Sequence, residues 1–129
     1  MGWPMQERRQ AVRVKCELPT QFRNLDTHSS QPIVDAIVTN ISRSGVCIQV
    51  NEFIPIQNRL YVYINIPDQP TIEARVVPAW IAELPHLGKY EIGVHFVEIR
   101  SEDEEVIQNY QYKTLLEKMP RRKNYPQDL

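Results

Sequence analysis

Leu60-Tyr61-Val62-Tyr63-Ile64-Asn65-Ile66 alternates without a break, with aliphatic residues at 60, 62, 64 and 66 and tyrosine or asparagine between them. A period of two sends successive side chains to opposite faces, so this stretch reads as a β-strand with one face on a core. The following Pro67-Asp68-Gln69-Pro70 is a turn signal, and Thr71 to Ala82 reads as the next strand. Toward the N-terminus, Val46, Ile48 and Val50 alternate in one strand, and Ile33 to Thr39 forms another. Val14, Cys16, Leu18 and Phe22 share one side of a first strand that begins at Val12, and the turn formers of Asn24 to Pro32 predict a loop after it. Toward the C-terminus, Gly88 opens a turn, and Tyr90, Ile92, Val94 and Phe96 alternate in a sixth strand. Pro78 is expected to bend the fifth strand or leave it at an edge, because proline cannot donate to the ladder.

The period changes after Arg100. Ser101 followed by Glu104 predicts a capping box, with acidic residues in the first turn, where the helix dipole favours them. Val106, Ile107 and Tyr110 share one helical face, and the apolar stripe drifts toward Leu115, Leu116 and Met119. Pro120 ends the helix. An antiparallel sheet of six short strands must cover its apolar face and hide its edges. A closed barrel with the helix packed against it meets both demands. The expected fold is therefore mainly β: a six-stranded antiparallel barrel with a C-terminal α-helix. Residues 1–11 read as a flexible arm, 12–119 as barrel plus helix, and 120–129 as a loose polar tail.

The 129 residues suit one domain with one core. A formal net charge of −1 provides no overall basic field, which argues against a nucleic acid polymer as partner. The charge is uneven, however. Arg8, Arg9, Arg13 and Lys15 face only Glu7 within residues 7–15, a balance better suited to a small anion. Glu102 to Glu105 read as a solvated helix start rather than paired catalytic carboxylates, which should come from a cleft. No apolar run reaches the roughly 20 residues of a membrane span, and the N-terminus lacks a signal core, so a cytoplasmic protein is expected. Cys16 and Cys47 read as two reduced core thiols, and His28, His86 and His95 lack metal-ligand spacing. No nucleophile with a base and no glycine-rich phosphate loop stands out, so no enzyme is expected.

Two motifs carry the functional signal. Arg8-Arg9-Gln10-Ala11-Val12-Arg13 contains an R-x-x-x-R at the junction of arm and first strand. A guanidinium fork binds phosphate, or O6 and N7 of guanine, in bidentate fashion, and lysine offers no such fork. Asn40-Ile41-Ser42-Arg43-Ser44-Gly45 is an N-x-S-x-x-G between two strands. Asn40 both donates and accepts, Ser42 can bond a base or phosphate oxygen, and Gly45 permits a positive φ or a close backbone approach. The same residue types also serve an ordinary hairpin turn, and the arginines an ordinary solvated arm. Trp80 in the fifth strand either stacks on a base or packs between barrel and helix. Tyr61 and Tyr63 form a surface patch or pack under the helix. Trp3 and Met5 belong to the arm and read as either incidental or a flap over a ligand.

Together, in this order, the two motifs resemble those of the PilZ domain, a bacterial receptor for cyclic di-GMP, over about residues 7 to 119. Gly93-Val94-His95-Phe96 is similar to that family's G-x-x-F in the last barrel strand. The resemblance implies a receptor whose arm closes on cyclic di-GMP and signals to an unidentified effector protein, with bacterial outputs such as motility, exopolysaccharide production or biofilm control. It implies no other cofactor. By position, Arg9 and Arg13 would grip guanine and phosphate, Asn40 and Ser42 would contact a guanine and its surroundings, Gly45 would shape the turn, and Trp80 would stack. Arg8, directly before the motif, implies two stacked ligand molecules, whose phosphate charges one more cation would offset. The alternatives are a PilZ-type adaptor working through protein contacts without ligand, and a barrel binding single-stranded nucleic acid.

Overall fold

The computed structural model describes residues 12–27 and 32–119. The expectations placed on the arm, including Trp3, Met5, Arg8 and Arg9, on the tail, and on residues 28–31 of the loop lie outside the described residues.

Six strands form: β1 (Val14–Asn24), β2 (Val34–Ile41), β3 (Gly45–Val50), β4 (Leu60–Ile64), β5 (Ile72–Leu84) and β6 (Lys89–Ile99). They close into a barrel in the order β1-β2-β3-β6-β5-β4. Every neighbouring pair is antiparallel. Closure removes the free edges that an open sheet of this size would expose. The alternating aliphatics fill the interior: Leu18, Val38, Ile48, Leu60, Val62, Ile64, Ile72, Val76 and Ile92 are all buried. Each fully buried side chain of this kind contributes on the order of 1.5–3 kcal/mol of transfer free energy. Thr20 is a polar residue at an inward position. Its hydroxyl donates to the Tyr63 carbonyl at 2.6 Å, so it enters the core satisfied.

The regular alternation breaks at two places that matter for the outer surface. Between Val38 and Asn40 the register of β2 against β3 shifts by one residue. Val38 and Ile41 both point inward, and Thr39 and Asn40 both face out. The second shift lies between Pro78 and Trp80 of β5 against β6. Here Pro78 is buried, and Ala79 and Trp80 are both exposed. The proline thus sits beside a bulge inside a closed barrel, which absorbs its missing donor without an edge. Bulges of this type re-aim side chains.

The helix α1 spans Ser101–Lys118. It buries Asp103, Ile107 and Gln111, one position every turn, and Ile107 joins the barrel core. Gln111 Nε2 donates to the Val12 carbonyl at 2.6 Å and Lys118 Nζ to the Lys15 carbonyl at 3.4 Å, which ties the helix to the start of β1. Two helix expectations are corrected. No capping box forms at Ser101: Arg100 is the extended cap residue, and its carbonyl accepts the Asp103 and Glu104 N–H groups. Ser101 is already the first helical residue, one position too late to cap. The apolar stripe also stops at Gln111, beyond which Leu115, Leu116 and Met119 are exposed.

Candidate ligand-binding site

A single lateral row crosses five strands of the barrel. Lys15 pairs with Asn40, Asn40 with Cys47, Cys47 with Gly93, and Gly93 with Trp80. The two bulges turn Asn40 and Trp80 outward at this level, so both emerge on the same outer surface. Between them lie Cys47 and Gly93, the smallest side chains of the row, both buried. Neighbouring strands are about 4.8 Å apart. The result is a row across β3 and β6 with a polar end at Asn40 and an aromatic end at Trp80, which lies over Gly93.

Arg13 closes the polar end. Its Nη1 donates to Asn40 Oδ1 at 3.2 Å and lies 3.5 Å from Cys47 Sγ. Both partners are neutral, and among the described residues no carboxylate pairs with Arg13. One side of the row is bordered by Thr39, whose hydroxyl donates to Glu91 Oε2 at 3.0 Å across β3. The other side is bordered by the Ser42–Gly45 turn, where Arg43 and Ser44 are exposed.

The two serine–glycine positions of the turn act on the backbone. Ser42 is buried; its Oγ accepts the Ser44 N–H at 3.2 Å, and its hydroxyl donates to the Gly45 carbonyl at 3.3 Å. Gly45 does not adopt a positive φ. A Cβ there would collide with the Val94 carbonyl of β6, so glycine permits close approach of β3 to β6. The Phe96 N–H then donates to the Ser44 carbonyl at 2.9 Å, which docks the turn on β6.

The structure thus brings together Arg13, Asn40, Ser42, Gly45 and Trp80 of the expected site residues, while Arg8 and Arg9 lie outside the described residues. Trp80 does not pack between barrel and helix; it lies over Gly93 with 38% of its surface exposed. Cys47, expected as a core thiol, is buried but sits on the outer side of β3 beneath Arg13. Alternation of Val46 and Ile48 with Cys47 carried that signal. Cys16 is the half-buried thiol under the helix, near Tyr110; burial above all pushes it up to about 11, so it stays protonated at neutral pH. Tyr61 and Tyr63 form a surface pair on β4, with ring centroids 5.2 Å apart.

Fold and row together define a small closed barrel with a C-terminal helix and a polar-to-aromatic row of side chains on one outer face. The PilZ domain family model matches residues 7–113, and the chain belongs to the PilZ domain family. Among solved structures, the inhibitor of motility MotI/DgrA of Bacillus subtilis is 21% identical with a TM-score of 0.73, covering 86% of this chain and 53% of its own. The PilZ domain of YcgR from Escherichia coli, solved with c-di-GMP, is 13% identical with a TM-score of 0.64, covering 85% and 93%. The MrkH–c-di-GMP complex of K. pneumonia is 13% identical with a TM-score of 0.61, covering 84% and 52%. The chain spans about half the length of the first and third of these proteins. At such identities the likeness is one of fold. No curated protein matches the chain.

Proposed function

We propose that the protein is a cyclic di-GMP receptor that acts on a partner protein and has no catalytic role of its own. The observation that carries this reading is Arg13, whose guanidinium is held by Asn40 and Cys47 yet has no carboxylate among the described residues to neutralise it. A cation oriented by neutral groups keeps its charge and fork available to an anion. Two solved PilZ structures of similar fold contain c-di-GMP, which supports the ligand's identity.

In this reading Arg13 and Arg9 bind phosphate and the Hoogsteen edge of a guanine, Asn40 bonds a second polar edge, and Trp80 offers a stacking surface. Ser42 and Gly45 hold the turn that borders the ligand. Residues 1–11, with Arg8 and Arg9, close over the nucleotide, and Arg8 favours two stacked molecules. Ligand that contacts only the closed arm shifts the protein to that state, and the changed surface is what the effector recognises. The exposed Tyr112, Leu115 and Leu116 on α1 and Met119 just after it, close to the start of β1, offer that effector an apolar contact. No helix of the described residues is long and apolar enough to cross a membrane, and we place the receptor in the cytoplasm.

The test is isothermal titration calorimetry with cyclic di-GMP on the protein and on Arg9→Ala and Arg13→Ala. Saturable binding lost in both variants supports the receptor, and a stoichiometry of two that falls to one in Arg8→Ala supports the stacked pair. No heat from the unaltered protein would instead favour an adaptor that works through protein contacts alone.

A further inference from the structure

Gly93 lies on the outer side of β6, since Ile92 and Val94 on either side of it are core residues, yet Gly93 is itself buried. What covers it is the Trp80 indole. A Cβ at position 93 would fall inside the indole, against Nε1, Cε2 and Cζ2. The bulge at Ala79 brings Trp80 into register with Gly93 and turns it outward, and the missing side chain at 93 lets the ring settle onto the sheet. Its remaining surface, more than a third, faces solvent at the aromatic end of the row.

We propose that Gly93 is a positioning residue for nucleotide binding, acting through Trp80. It is a notch that seats the indole low on β6, so that the ring sets the height of the row's aromatic end. Any side chain at 93 pushes the ring outward to relieve that overlap. The ring then stands higher on the sheet or swings off the row. The notch and the bulge form one device: the bulge aims the indole and the glycine sets its height. This inference rests on the receptor reading above.

The experiment is a double-mutant cycle of G93A, W80A and W80A/G93A, with cyclic di-GMP affinity read by calorimetry and stability by thermal melting. The chain has two tryptophans, so a Trp3→Phe background makes the emission report on Trp80 alone. Base stacking removed by alanine substitution corresponds to a loss of about 10-fold or more in affinity. We expect G93A to lose about as much as W80A, with a shifted Trp80 emission, and the double variant to bind no more weakly than W80A. The double variant should also regain the melting temperature lost in G93A, because the small side chain at 80 leaves room for the methyl group added at 93. Should G93A fail to fold, recovery of the fold in W80A/G93A with an affinity no lower than that of W80A supports the proposal, and an affinity below that of W80A overturns it. The proposal falls if G93A binds as tightly as the unaltered protein, or if the losses of G93A and W80A multiply in the double variant. It also falls if G93A and the double variant both fail to fold, since Gly93 would then serve the backbone independently of Trp80. Unaltered protein that takes up no cyclic di-GMP defeats the receptor reading and this inference together. Binding that is intact in G93A defeats this inference alone.

Discussion

On the outer side of β1, β4 and β5, with the residues flanking β1 and β4 and the end of β6, charged groups answer one another. Arg23 Nε donates to Tyr63 Oη at 3.0 Å and its guanidinium lies 5.5 Å from the Tyr61 ring centroid. Tyr61 Oη donates to Glu73 Oε1 at 3.1 Å, Arg75 meets Glu98 at 3.6 Å, and Arg59 meets Asp26 at 2.6 Å. Across β2, β3 and β6 the arrangement is different. Arg13 is oriented by an amide and a thiol, and the next residue of the row, Gly93, lies under Trp80. The first face spends its polar chemistry on itself, through solvent-facing pairs that each contribute little to stability. The second leaves a guanidinium charge without a described counter-ion and an aromatic surface without a cover. Both faces are polar, but the second holds, in Arg13, a guanidinium with no carboxylate partner among the described residues.

The largest expected effect comes from replacing the same residue type on each face. Arg13→Lys keeps the charge but loses the fork, and should weaken cyclic di-GMP binding about 10- to 100-fold, given about 1–3 kcal/mol for a bidentate arginine contact. Arg75→Lys, on the self-paired face, should leave the calorimetric affinity unchanged. If the two variants lost equal affinity, the distinction between the faces would collapse. Asn40→Ala should follow with a loss of about 3- to 10-fold, matching one hydrogen bond of about 1 kcal/mol. Part of that loss is indirect, because Asn40 Oδ1 also orients Arg13. A fall in affinity larger in Asn40→Ala than in Arg13→Lys would show that the amide, not the guanidinium, dominates the polar end.

Ser42→Ala sharpens the comparison differently, by separating the turn from the ligand. The Ser42 hydroxyl is committed to the Ser44 N–H and the Gly45 carbonyl, and it is buried. Its removal leaves those groups short of a partner and should cost about 1–3 kcal/mol of stability in urea unfolding. Affinity should fall less than in Asn40→Ala. Affinity lost without any change in stability would mean that Ser42 touches the nucleotide directly.

Much of this was legible in the chain, for a physical reason. Strands with one wet face keep a strict period of two, and Leu60 to Ile66, Val46 to Val50 and Tyr90 to Phe96 read directly as strands. The bulges were harder because each adds one residue to one strand, which alternation treats as noise. Their trace is the spacing of inward residues: Val38 and Ile41 are three apart, as are Pro78 and the half-buried Ile81. That trace also decides the site, since it turns Asn40 and Trp80 to the same surface. Gly93 was visible only as half of a G-x-x-F, because a glycine's role depends on which neighbour fills its empty Cβ, a fact of register rather than of sequence. The helix misled where local signals outran tertiary ones. Ser101 and Glu104 have capping-box spacing, yet the chain leaves β6 through Arg100, and its backbone, not a side chain, starts the helix.

The smallest effect belongs to the self-paired face and tests whether its pairs matter only locally. Asp26 accepts the Arg59 guanidinium at 2.6 Å and the Arg59 backbone N–H at 2.6 Å. These bonds, the guanidinium first, hold its carboxyl down to about 2. A free aspartate titrates near 3.9, so the folded state prefers the ionised form more strongly than the unfolded state does. The contribution to stability is therefore fully present above about pH 4 and is lost as pH falls from there through about 2. The pair stands at the surface, where solvent screens it and keeps the effect small. Melting temperatures of the unaltered protein and Asp26→Asn should thus differ slightly and by a constant amount at neutral pH. The difference should shrink as pH falls from about 4 through about 2, while affinity for cyclic di-GMP at neutral pH stays unchanged. A gap that has not shrunk by pH 2 would assign the loss to the Asp26–Arg59 backbone geometry. A change in affinity would show that the two faces communicate through the barrel, and the comparison would have to be redrawn with Arg59 on the ligand's side.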